Sequence, residues 1–146
     1  MLSKLAVFIK SLAYEGDNPI KDPLSIELAT AVLLCEVMRA DGTLEEDEQK
    51  KLRNIMQAQF TLSNDEVTEI LDTAESLSEN ATDFYQFTSV LNQHYSLEQR
   101  KKIVTLLWQV AYADGELANI EEHIIRKIAD LLHLRHTEYI ATQIAA

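Results

Sequence analysis

The chain has 146 residues, 47% of them apolar, and its 24 acidic against 13 basic side chains give a formal charge of -11. That length suits one domain burying about two-thirds of the surface its unfolded form exposes, and 3 Gly with 2 Pro exclude a fibrous or disordered chain. The negative charge disfavours phosphate backbones, hence nucleic acid, and favours cations or a basic protein partner.

Leu2, Leu5, Ile9 and Leu12 recur at helical spacing, which predicts an amphipathic helix over 2–14. Lys4 and Lys10 interrupt an apolar run too short to span a bilayer, and no small-residue cleavage site follows. The expectation is a cytoplasmic protein without a transmembrane segment, whose first helix could dock on a membrane or a partner.

Asp22-Pro23 supplies an N-cap and a first-turn proline for a second helix over 23–40. Its middle, ATAVLLCEVM, is apolar on nearly all sides and belongs at the centre of the domain. The single Cys35 lies in that run, which excludes an internal disulfide and reads as a small core residue. Thr43 with Glu46 fits a capping box opening a third helix to about residue 59, and Ser63 with Glu66 opens a fourth to about 78. Thr82 starts a short fifth helix carrying Phe84, Phe87 and Leu91 inward. Ser96 with Gln99 opens a sixth, ending near Ala113 and holding IVTLLWQVAYA, where Trp108 and Tyr112 read as core. A seventh covers about 117–133 and a last about 136–144. The prediction is an all-α domain of seven to eight helices.

The two most apolar helices belong to an internal repeat. An offset of 73 lays 31–57 on 104–130 without a gap, with identities that include Leu33/Leu106, Val37/Val110, Asp41/Asp114, Gly42/Gly115, Glu48/Glu121 and Arg53/Arg126. A one-residue gap extends the match to Leu62/Leu134 and Glu66/Glu138. The organisation this suggests is an N-terminal helix and linker over 1–22, a first unit over 23–72, a connector over 73–95 and a second unit over 96–145, with the two central apolar helices packed together.

Each unit carries an Asp-Gly corner rich in carboxylates. Gly42 and Gly115 allow the chain to reverse after a helix, and acids at the start of the next helix favour its positive end. That accounts for most of the acids, but stepping by four from Leu44 reaches Glu48 before Leu52, Ile55 and Gln59, and from Leu117 it reaches Glu121 before Ile125 and Ile128. Each unit therefore places a carboxylate on an inward face. Such a group needs a partner or takes up a proton. Three partners are open: amides at the helix start, Arg53 or Arg126 reaching across between the units, or a divalent cation shared with Asp41 or Asp114. Oxygen ligands suit calcium, magnesium or manganese. The corner is not an EF-hand, since Glu46 stands where the sixth position requires Gly and Leu52 where the twelfth requires Glu.

Two ADG corners, each followed seven residues after the Asp by Glu, resemble the TerB-like family named for tellurite resistance, whose relatives include domains of a DnaJ-like membrane co-chaperone. The resemblance covers roughly 23–145. It implies an all-helical fold of two repeated units, with Asp41, Glu48, Asp114 and Glu121 as acidic positions that bind divalent metal or face a partner. Ala118, Asn119 and Ile120 replace Glu45, Glu46 and Asp47 in the second unit, so a second site would be the weaker.

Other chemistry finds little support. His94, His123, His133 and His136 form no HExxH pattern, there is no glycine-rich phosphate loop, and the lone Cys has no activating neighbours. The functional expectation is a non-enzymatic TerB-like protein, binding a divalent cation at its acidic corners in a stress-response or membrane-associated assembly. The alternative is a structural or adaptor domain without metal. Between Arg53 and Arg100 no Lys or Arg occurs, which leaves open whether Arg100, Lys101 and Lys102 pair with that acidic window or with a neighbouring molecule.

Overall fold

The structure, a computed structural model, describes residues 25–40, 46–80, 83–112 and 119–146, and among them there are seven α-helices and no strand. They are α1 (Ile26–Met38), α2 (Glu46–Phe60), α3 (Asn64–Asn80), α4 (Tyr85–His94), α5 (Leu97–Ala111), α6 (Asn119–Leu131) and α7 (His136–Ala145). The helix expected over 2–14 lies outside the described residues, and the other seven all occur. Among the described residues no helix is long and apolar enough to cross a membrane.

α1 is the hub. From Leu28 to Met38 every side chain is buried except Glu36, and the helix touches α2, α3, α4, α5 and α6, most extensively α3. A helix apolar all round can be stable in water only if neighbours cover every face. α5 is the second central helix, with Ile103, Val104, Leu107 and Trp108 fully covered by α1, α6 and α7. The remaining helices each commit one face: Leu52 and Met56 from α2, Val67, Leu71 and Ala74 from α3, and Phe87, Val90 and Leu91 from α4 all join the single core.

Local signals set most boundaries. Ser63 accepts from the Glu66 amide at 3.1 Å while the Ser63 amide donates to the Glu66 carboxylate at 2.9 Å. Ser96 and Gln99 make the same reciprocal pair, so two of the three expected capping boxes form, while Thr43, the cap expected to pair with Glu46, lies outside the described residues. The start of α1 differs from expectation. Ser25, accepting from the Leu28 amide at 3.0 Å, is its N-cap in place of Asp22, and the helix begins at Ile26. α4 begins at Tyr85, later than Thr82, with Asp83 accepting from the Tyr85 amide. α3 runs unbroken through residue 72, where the sequence reading divides the first unit from the connector.

The ends of α2 and α6 share an unusual backbone. Thr61 and His133 are the non-glycine residues with positive φ among the described residues, at 50° and 64°, and they fall on equivalent positions of the gapped repeat. At His133 the chain closes a Schellman turn, with the Leu134 amide donating to Ala129 O at 3.1 Å and the His133 amide to Asp130 O at 3.0 Å. The carbonyls left over at this end are held from other helices. Asn92 on α4 donates to Leu131 O at 2.9 Å, and Arg100 on α5 donates to Leu132 O at 2.6 Å. Arg100 is thus an internal tie, and Lys101 pairs with Glu98 at 3.2 Å, so neither spends its charge on the acidic residues of α3.

Two predictions follow from this packing. Leu34→Ala, in the fully covered middle of α1, should cost about 2 to 5 kcal/mol in urea denaturation. His133→Gly should instead stabilise by up to about 1 kcal/mol, because a left-handed residue with a Cβ carries a penalty that glycine lacks; the same urea midpoints measure both.

Candidate functional site: the acidic corners and the groove beside them

The sequence places four carboxylates at the two corners. Asp41 and Asp114 lie outside the described residues, so the structure describes only the helical member of each pair. Glu121, the third residue of α6, is buried with 5% exposure, and Ile125 and Ile128 continue its face into the core at 0%. Glu48, the third described residue of α2, is half-buried and precedes Leu52 by one turn. The inward stripe of α2 differs from the expected one: Leu52 and Met56 are buried, whereas Ile55 and Gln59 are only half-covered. The stripe turns with Met56 toward the core, which leaves Glu48 nearer its edge than Glu121 is in α6. Among the described residues no three His, Cys, Asp or Glu side chains are grouped as metal ligands would be.

The arginines proposed as partners for these carboxylates are occupied within their own units. Arg53 donates to Thr68 Oγ1 at 2.6 Å and to Asn64 O at 3.4 Å, which clamps α2 onto α3. Arg126 lies over the Tyr139 ring, 5.8 Å from its centre, which ties α6 to α7 as a cation–π pair.

Between α2 and α3 opens a groove of about 210 Å³, lined by Glu46, Lys50, Leu52, Arg53, Asp72 and Glu75 among others. It starts at Glu46, at the N-terminal end of α2. Burial, and then the like charges of Asp72 and Glu79, push the Glu75 carboxyl above the ordinary carboxylate range, against the opposing pull of Arg39. Glu75 also acts on Cys35, which is fully buried in α1: burial first and Glu75 second push its thiol up to about 12. A thiol held protonated in this way is no nucleophile at neutral pH, in line with its reading as a core residue.

Sequence reasoning missed a polar lock next to this groove. Glu36 stands in the last turn of α1, and its carboxylate accepts a hydrogen bond from Ser78 Oγ on α3. Arg39 Nη1 donates to the same Ser78 Oγ at 2.8 Å. The only signal in the sequence is a Glu within the apolar run of α1; its partner stands 42 residues away. These hydrogen bonds satisfy the serine hydroxyl, which is buried with 4% exposure, so the trio is a fastener between α1 and α3.

The aromatic residues divide. Trp108 is fully buried as expected, stacked on Tyr112 with ring centres 5.9 Å apart and tilted against Tyr139 at 5.7 Å. Tyr112 departs from the core reading: it caps the end of α5, is 39% exposed, and accepts through its hydroxyl from Gln143 Nε2 at 3.0 Å. All four histidines are exposed.

The family model described as tellurite resistance protein TerB matches residues 27–144. No curated protein and no solved structure matches the chain.

The raised Glu75 carboxyl gives a pH test. A carboxyl that binds its proton more tightly folded than unfolded is ionised at a cost, so its contribution to stability falls as pH rises from the ordinary carboxylate value through its raised folded one. Glu75→Gln should therefore melt above wild type at neutral pH and together with it in acid, where both side chains are neutral, as followed by thermal unfolding across a pH series.

Proposed function

The chain belongs to the TerB family, and from this premise we propose that it is a non-enzymatic, cytoplasmic protein whose acidic corners take a divalent cation. In this reading Asp41 with Glu48, and Asp114 with Glu121, supply hard oxygen ligands for calcium, magnesium or manganese. The acidic surface docks a basic protein in a stress-response or membrane-associated assembly. The observation that supports the reading is the burial of Glu121 at the start of α6: a carboxylate turned inward seven residues after an Asp-Gly corner is where functional charges concentrate. The first corner, with Glu45, Glu46 and Asp47 beside it, is the more acidic and binds the more tightly.

A second reading has its own support. Glu48 and Glu121 each stand third among the described residues of their helices, the position from which a glutamate reaches back to the amide of the N-cap. On that reading the corners are architectural, the protein is an adaptor without metal, and partners dock elsewhere.

Thermal unfolding of chelator-stripped protein separates the two. A cation present at about 100 times its dissociation constant adds roughly 2.7 kcal/mol of stability, a shift of several degrees. The metal reading expects such a shift with calcium, magnesium or manganese, lost in Asp41→Asn and Glu48→Gln and weakened less in Asp114→Asn and Glu121→Gln. The adaptor reading expects no cation-specific shift and corner variants that are themselves less stable.

A further inference from the structure

We draw no further inference here: the strongest candidate, the outward face of α7 that exposes Ile140 and Ile144 one turn apart, carries nothing because nothing in the structure shows what covers it.

Discussion

A helix whose side chains are apolar on every side has no face to offer water, and α1 imposes that condition on the rest of the chain. It must be enclosed, and five other helices enclose it. Because they supply the cover, each needs an apolar stripe on only one side, and their outer faces are free to carry the acids that set the charge of the molecule. The one break in the enclosure is Glu36, and it is handled by hydrogen bonds. With Ser78 donating to Glu36 and accepting from Arg39, no member of the trio is left with an uncompensated charge or an idle hydroxyl. Removing one partner from such a group exposes the others to the full cost of desolvation, so the trio holds α1 and α3 in a single register.

The parts of this fold that could be read from sequence are those determined within one helix or one turn. The two serine capping boxes formed because their partners lie three residues apart, and the central position of α1 followed from its composition alone. α1 starts three residues later than Asp22-Pro23 predicts, because Asp22 and Ser25 are both competent caps and local propensity does not choose between them. The Glu36, Arg39 and Ser78 trio could not be foreseen, since it depends on which turn of α3 meets which turn of α1. The candidate site shows the same division. Stepping by four located the buried Glu121 correctly, but on α2 the packed residue is Met56 and not Ile55, so the same rule overstated how far Glu48 turns inward. The apolar run around Tyr112 predicts a core residue, whereas the end of α5 carries it to the surface.

The two halves of the repeat keep backbone features where they no longer keep side chains. Thr61 and His133 have nothing chemical in common, yet both hold the left-handed conformation that ends the second helix of a unit. Arg39 and Tyr112, aligned by the ungapped part of the repeat, each sit at the C-cap of a central helix and each tie it to the third helix of their half, one through Ser78 and the other through Gln143. The arginines at 53 and 126 are identical residues in equivalent places, but one grips a hydroxyl and a carbonyl while the other covers an aromatic ring. Geometry at helix ends, where backbone groups must find partners, is the more demanding constraint here.

The two side chains that hold the end of α6 also shape how the molecule opens. Asn92 belongs to α4 and Arg100 to α5, and both reach carbonyls at Leu131 and Leu132. Fraying that begins at the C-terminal turn of α6 must therefore disturb two other helices, so this turn belongs to the same cooperative unit as the centre of the domain and its amide hydrogens exchange only when that unit opens.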